Sequence, residues 1–175
     1  MTSVWAVGDG RIVVDLRAER WWLRLYLVDL LELLGPEPEM PDDPLAALAA
    51  TAAGDPERPT DPVLARLLPD GVVDDDAAAT EFRRFTHESL LTQKRAGAKA
   101  VWALLDGSTG DLDRSQAGKV LGGVNDLRLM MGTRLMVTED ADDEASEQLT
   151  ELAAYRSYLM LGWLQEQLLE ALTSE

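Results

Sequence analysis

The sequence contains no cysteine and only one histidine, His87, among its 175 residues. Without cysteine the chain can form no disulfide, offers no thiolate nucleophile and cannot hold a cysteine-ligated zinc ion or iron–sulfur cluster. Nothing in the pattern places a serine beside His87, and zinc bound by carboxylates around a single histidine is an uncommon ligand set. We therefore expect neither an enzyme nor a bound cofactor or metal ion.

Positive charge is also scarce. The chain has 16 Lys and Arg against 32 Asp and Glu, a formal net charge of −16 and a sequence pI of about 4.3. Such a chain repels nucleic-acid phosphates and anionic membranes unless it carries a local basic patch. We expect a protein partner with a basic face and no direct binding of nucleic acid.

Long apolar runs are missing as well. The most apolar stretch, Trp21 to Leu34, is interrupted by three charged residues, whereas a membrane span needs about 20 mainly apolar residues. The N-terminal residues Met1 to Asp15 lack the basic and then apolar pattern of a signal peptide. We expect a cytoplasmic protein that does not enter a membrane.

The residues that are present predict one mainly α-helical domain over 1–175. Hydrophobic residues make up 46% of the chain, which is enough for a packed core. β-branched residues on both sides of Gly8-Asp9-Gly10 indicate a β-hairpin, and Gly35 followed by Pro36 marks the end of a helix. The predicted parts are a β-hairpin (1–16), a core helix buried on most sides (17–35), a Pro-rich acidic connection with short helices (36–73) and a helical bundle (74–175).

Within the bundle, a helical stretch begins near Asp74, and Thr86 is predicted to cap a fresh helix that runs to Leu105. Gly107–Gly110 is interpreted as a loop. Asp113 is predicted to cap a helix that ends near Val137, and a last helix is expected from Asp142 to Leu172. Glycines within a helix cost stability, so three of them are predicted to let another backbone come close. They are Gly118, Gly122 and Gly132.

Three segments resemble ligand-binding motifs without meeting their requirements. Gly8-Asp9-Gly10 is followed by a predicted strand, unlike a dinucleotide fingerprint. Residues 117–120 (AGKV) lack the upstream glycine of a phosphate-binding loop and lie within a predicted helix. Residues 140–151 place acidic groups at several calcium-ligand positions, but Ala145 replaces the glycine of the sharp turn. We interpret this last segment as an acidic helix start, favoured by the helix dipole.

Basic residues cluster in one place. Arg83, Arg84, Lys94, Arg95 and Lys99 lie within seventeen positions of an otherwise acidic chain. One interpretation is internal pairing, either with the acidic connection or with residues 139–151. The other is a docking site for a protein or a nucleic acid.

Two further arginines lie on the helix predicted after Asp113. Arg128 lies beside the apolar stripe of this helix, so its guanidinium is predicted to need a carboxylate from another helix. The second arginine, Arg134, lies near the end of the same helix.

Two motifs are distinctive: EFRRFT at Glu81–Thr86 and NDLRLMMGTRL at Asn125–Leu135. With them the chain resembles an actinobacterial family, long described as a domain of unknown function and now labelled as oxidative-stress regulators of the AosR type. The resemblance covers most of the chain. It implies a cytoplasmic regulator that acts on transcription through protein contacts, with a sigma factor as the suggested partner. A redox-sensing member would need a cysteine pair, so a thiol switch is excluded for this chain.

We therefore predict a non-enzymatic regulatory or adaptor protein. Its contact surface would combine the basic stretch with the Asn125–Arg134 helix. The candidate residues are Phe82, Arg83, Arg84, Lys94, Arg95, Asn125, Asp126, Arg128 and Arg134. The alternatives are a structural homodimer module, with an apolar patch on the Trp163 or Gly118/Gly122 face, and an unrecognised hydrolase, with converging polar groups in a concave site.

Overall fold

The structure, a computed structural model, describes residues 2–7, 10–37, 57–72, 74–107, 110–137 and 153–174. These residues form five helices and three short strands, which confirms the mainly α-helical prediction. The predicted acidic helix start at 140–151, residues 38–56 of the predicted connection, and residues 8 and 9 of the hairpin turn lie outside the described residues. No described helix is long and apolar enough to cross a membrane.

The N-terminal hairpin is confirmed, and a third strand extends it. β1 (Ser3–Val7) pairs antiparallel with β2 (Arg11–Asp15), which pairs antiparallel with β3 (Gly110–Leu112). The loop predicted at 107–110 is therefore wrong at its end, because Gly110 begins β3. Three residues are too few to show a strand periodicity. The third strand supports a hairpin that would be marginal alone, and its Leu112 pairs with the buried Ile12.

The first helix, α1 (Arg20–Leu34), corrects one prediction. Its apolar residues were expected to be buried on most sides, and one face is indeed buried, with Leu23, Leu27 and Leu30 fully inaccessible. The opposite face, however, exposes three large apolar side chains. Trp21, Leu25 and Val28 are 71%, 64% and 44% exposed. The sequence shows an all-round apolar helix, but neighbouring elements cover only part of it.

The connection contains one described helix, α2 (Pro62–Leu67). The amides of Val63 and Leu64 at its start donate to the Asp61 carboxylate. The following helix, α3 (Asp76–Asp106), is continuous over 31 residues and begins at the cap Asp75. The predicted break at Thr86 is therefore wrong. The Thr86 hydroxyl donates to the carbonyl of Phe82, one turn earlier. The hydroxyl therefore has a hydrogen-bond partner within α3, and Thr86 does not cap a new helix.

Two long helices complete the bundle: α4 (Arg114–Arg134) and α5 (Ala153–Thr173). The predicted cap of α4 is confirmed, because the Asp113 carboxylate accepts from the amide of Gln116 at 2.8 Å while the Gln116 side chain accepts from the amide of Asp113. Helix α4 packs against α2, α3 and α5. It therefore lies at the centre of the core, with Val124, Leu127 and Met130 fully buried.

Glycine brings α3 and α4 together, but at positions other than those predicted. A Cβ atom at Gly123 would lie 2.4 Å from the carbonyl oxygen of Gly97, so these two backbones touch. At Gly118 and Gly122 a Cβ atom would meet nothing within 4 Å, and the predicted close approach there is wrong. Gly132 does face a neighbour, the ring of Tyr158 on α5. Single-sequence spacing cannot tell which helical face meets a partner backbone.

Candidate interaction surface

The basic stretch of α3 is held by partners within the chain. Arg83, only 14% exposed at its side chain, forms an ion pair with Asp70 and also donates to the hydroxyl of Thr80 at 2.9 Å. Neighbouring Phe82 lays its ring against Gly71, where a Cβ atom would come within 2.6 Å of it. These two candidate residues therefore fasten the chain after α2 to the start of α3.

Lys94 and Asp126 form an ion pair between α3 and α4. The Lys94 ammonium donates to Asp126 at 2.8 Å, and only 15% and 5% of the two side chains are exposed. Burial raises the pKa of Asp126 above its ordinary value, although the hydrogen bond and charge of Lys94 act in the opposite direction. The pair lies one helical turn from the Gly97–Gly123 contact, so it is part of the same helix crossing.

Arg95 is buried and closes the end of α1. Its guanidinium donates to the carbonyls of Leu34 and Gly35 at 2.8 and 3.0 Å and to the carboxylate of Glu88 at 3.2 Å. The last carbonyls of a helix lack partners inside the helix, and a cation there also suits the helix dipole. A residue that was a candidate for docking therefore has a structural contact in the core.

The remaining members of the stretch lie nearer to solvent. Lys99 pairs with Glu37 at 2.6 Å, and this contact, which the charge of Lys99 strengthens, lowers the pKa of Glu37. Arg84 is exposed and also has an interaction within the chain. Of the two sequence interpretations, internal pairing thus accounts for the described contacts. Its acidic partners at Glu37 and Asp70 do come from the connection, whereas Asp126 comes from α4.

The NDLRLMMGTRL motif lies on α4, and two of its polar residues, Asn125 and Arg128, contact α5. Gln165 of α5 donates to the Asn125 side chain at 3.3 Å and accepts from Arg128 at 3.2 Å. The Arg128 guanidinium also lies over the ring of Tyr158, 5.3 Å from its centre, with Gly162 close beside it. The carboxylate predicted for Arg128 is not found among the described residues. An amide and an aromatic ring are its neighbours instead.

Arg134, the last residue of α4, pairs with Asp29 of α1. Both side chains are more than 40% exposed, so this contact stabilises the fold only modestly. The polar residues of the motif therefore lie at contacts with three other helices: α1, α3 and α5. The structure places the family-like motif residues at helix contacts, not on one continuous outer face.

His87 lies within α3, partly buried, and no hydrogen bond links it to a described carboxylate or hydroxyl group. Among the described residues, no group of three or more histidine, aspartate or glutamate side chains is arranged to hold a metal ion. The residues that the structure describes thus bring no catalytic set together around His87.

Basic side chains across the described residues are largely engaged in the same way. Arginines on α1 donate to the end of α3: Arg20 to the carbonyl of Gly107 at 2.5 Å, and Arg24 to Asp106 at 2.5 Å. Twelve of the chain's 16 Lys and Arg residues contact a described acceptor. They are Arg11, Arg17, Arg20, Arg24, Arg58, Arg83, Lys94, Arg95, Lys99, Arg114, Arg128 and Arg134. Most of the basic side chains are thus paired within the chain, and the 32 Asp and Glu residues outnumber them.

The most exposed large apolar side chains on α1 define a second feature, which sequence analysis missed. We name Trp21, Leu25 and Val28 the α1 ridge. Beside it, between α1 and α3, lies an open groove of about 450 Å³. Its lining residues are Val28, Leu31, Glu32, Lys99, Trp102, Ala103 and Asp106. The spacing of the ridge residues was visible in the sequence, but which face stayed uncovered was not.

These features describe a helical protein whose motif residues hold its helices together and whose exterior combines acidic charge with an exposed apolar face on α1. The chain belongs to the family described as a domain of unknown function, DUF2017, whose model matches residues 1–172. This family agrees with the one that the sequence motifs resembled.

Named relatives come from mycobacteria. A Mycobacterium leprae protein, provisionally named oxidative stress regulator AosR, is 31% identical over 151 residues, which cover 78% of this chain and 70% of that protein. The oxidative stress regulator AosR of Mycobacterium tuberculosis is 29% identical over 143 residues, or 73% of this chain. That match spans 66% of the tuberculosis protein, and the Mycobacterium bovis protein of the same name matches equally. No solved structure matches the chain.

Proposed function

We propose that this protein is a non-enzymatic regulator that acts through protein–protein contacts, in stress-responsive transcription with a sigma factor as its partner. The names of the mycobacterial relatives support the regulatory role. The proposal depends chiefly on one observation, the internal use of positive charge in a chain of net charge −16. A partner with a basic face is attracted to such a surface, whereas nucleic acid is repelled.

The candidate surface differs from the one expected from sequence. Arg83, Lys94 and Arg95 are engaged within the fold, so a partner that used them would have to break these contacts. The α1 ridge and the neighbouring Glu32, which is in no ion pair with a described residue, need no such rearrangement. The mechanism proposed is therefore docking on a preformed acidic and apolar surface.

Affinity capture tests the proposal. The full chain, tagged at its C-terminus, is expected to retain a basic protein from the native cytoplasm at low salt and to release it at high salt, because salt screens exposed charges. Mass spectrometry identifies the partner, and transcript levels after peroxide exposure, with and without the gene, test the regulatory role. Recovery of no basic protein, together with unchanged transcripts, would contradict the proposal.

A structural homodimer is the second candidate, favoured by a pair of exposed apolar residues on α5. Leu159 and Trp163, one helical turn apart, are 49% and 40% exposed. The Gly118/Gly122 face, the other surface predicted for a dimer, has open space at both glycines. Light scattering distinguishes the two candidates, because a stable dimer would double the mass of the protein in solution. The regulator proposal requires no dimer.

A further inference from the structure

The α1 ridge has the spacing of a helix-packing seam. Trp21, Leu25 and Val28 are separated by four and then three positions, so their side chains follow one stripe along the helix. The next position of the same series is Glu32, which lines the adjoining groove. A second helix packed along this stripe would thus meet three apolar side chains and then one carboxylate.

The groove beside the ridge extends the apolar surface. Trp102 lies in its wall, and the guanidinium of Arg24 lies over that ring, 5.9 Å from its centre. Arg24 also bonds Asp106 at the groove's edge, which holds the guanidinium in place. An apolar anchor from a partner would therefore meet a surface that is already assembled, with the Trp102 ring as part of its lining.

The charges around the groove indicate which kind of helix fits. Lys99 is paired with Glu37 at 2.6 Å, and Asp106 is paired with Arg24 at 2.5 Å. Glu32, by contrast, is in no ion pair with a described residue. The charge still available in the groove is consequently negative, in a molecule of net charge −16. A second copy of this chain would bring like charges together, and a basic partner would not.

We propose that the α1 ridge and its groove bind an amphipathic helix of a partner protein, with apolar residues at alternating three- and four-residue spacing and a Lys or Arg that pairs with Glu32. This inference builds on the proposed function and names the surface and the chemistry of the partner. Helix-in-groove docking of this kind combines a few apolar anchors with a polar rim that sets specificity.

Two designed helical peptides provide the probe. Both carry leucine at the seam positions, one with lysine and the other with glutamate at the flanking positions. Titration calorimetry with the full chain is expected to show binding of the leucine–lysine peptide and at least tenfold weaker binding of the leucine–glutamate peptide. Raising the salt concentration is expected to weaken the first interaction, because its ion pairs are screened.

Variants locate the site. Leu25→Ser removes an anchor, and we expect it to weaken binding of the leucine–lysine peptide about tenfold or more. Glu32→Gln is expected to weaken binding several-fold and to reduce its salt dependence. Leu169→Ser on α5 is the matched control, since Leu169 is also exposed, at 45%. It should leave binding unchanged.

Several outcomes would overturn the assignment. Equal losses from Leu25→Ser and Leu169→Ser would mean that the peptide binds without a defined site. Equal binding of the two peptides would remove the role of charge. A dimer that Leu25→Ser dissociates would show that a second copy covers the ridge, and binding of neutral lipid vesicles that depends on Leu25, without peptide binding, would point to a membrane surface.

Capture with the same variants separates this inference from the proposed function. If wild-type protein and Leu169→Ser retain a native partner that Leu25→Ser loses, both hold. If Leu25→Ser still retains the partner, the surface is wrong and the regulatory proposal stands. If the leucine–lysine peptide binds at the ridge but no native partner is found, the proposed function fails while the binding site remains.

Discussion

Adjacent glycines on α4 provide a sharp test of the fold. At Gly123 an added Cβ atom would lie 2.4 Å from the carbonyl oxygen of Gly97, whereas ordinary contacts of this kind begin near 3.4 Å. The α3 and α4 backbones would have to separate by about 1 Å, and overpacking of this kind costs about 1–3 kcal/mol. At Gly122 nothing lies within 4 Å, so alanine there gains about 1 kcal/mol of helix stability.

We therefore expect Gly123→Ala to lower the free energy of unfolding by about 2 kcal/mol and Gly122→Ala to raise it by up to about 1 kcal/mol. For a domain of this size the two variants should differ in Tm by about 6–12 °C. Urea unfolding followed by circular dichroism and by tryptophan fluorescence measures both. Equal stability of the two variants would refute the described helix crossing, because the substitutions are identical and the positions are neighbours.

Two further predictions concern charge. Lys94→Met leaves the buried carboxylate of Asp126 unpaired, which should cost about 3–5 kcal/mol at neutral pH. The pKa of Asp126, already raised by burial, should rise further without the lysine, so the loss of stability in Lys94→Met should shrink as acid protonates the carboxyl group. Urea unfolding at several pH values measures this change. A pH-independent loss of stability that adding Asp126→Asn does not relieve would contradict the prediction. Arg17 holds the pKa of Asp15 at about 2 through side-chain and backbone hydrogen bonds. The contribution of the ionised Asp15 carboxylate to stability is present above about pH 4 and is lost as the pH falls toward 2. Arg17→Gln should raise the pKa of Asp15, measured by NMR titration. An unchanged pKa would rule out the side-chain hydrogen bond as the cause.

The chemistry of capping and periodicity allowed several elements to be predicted. Asp113 was recognised as the cap of α4 because a carboxylate before an apolar-periodic stretch satisfies free amides locally. The hairpin and the end of α1 at Gly35, whose φ of 68° suits glycine, also follow from local rules. By contrast, β3 was missed and a break was wrongly placed at Thr86. A three-residue strand exists only through its partner, and a threonine within a helix resembles one at its start.

The candidate site shows the same division. Sequence alone indicated that positive charge is concentrated on α3 and that Arg128 would need a neighbour. It could not indicate that Lys94 reaches Asp126 or that Gln165 and Tyr158 meet Arg128, because these contacts join residues at least 30 positions apart. The sequence therefore leaves internal pairing and docking as alternatives for the basic stretch, whereas the structure gives Arg83, Lys94 and Arg95 partners within the fold.

Composition by itself determined the sign of the charge, the lack of thiol chemistry and the dominance of helices, since these depend on residue counts and on interactions within a few residues of the chain. Only the tertiary structure decided which glycines touch, which cations are used internally and which face of α1 remains exposed. Each of these depends on how helices distant in sequence pack against one another, and periodicity identifies an apolar face without identifying its neighbour.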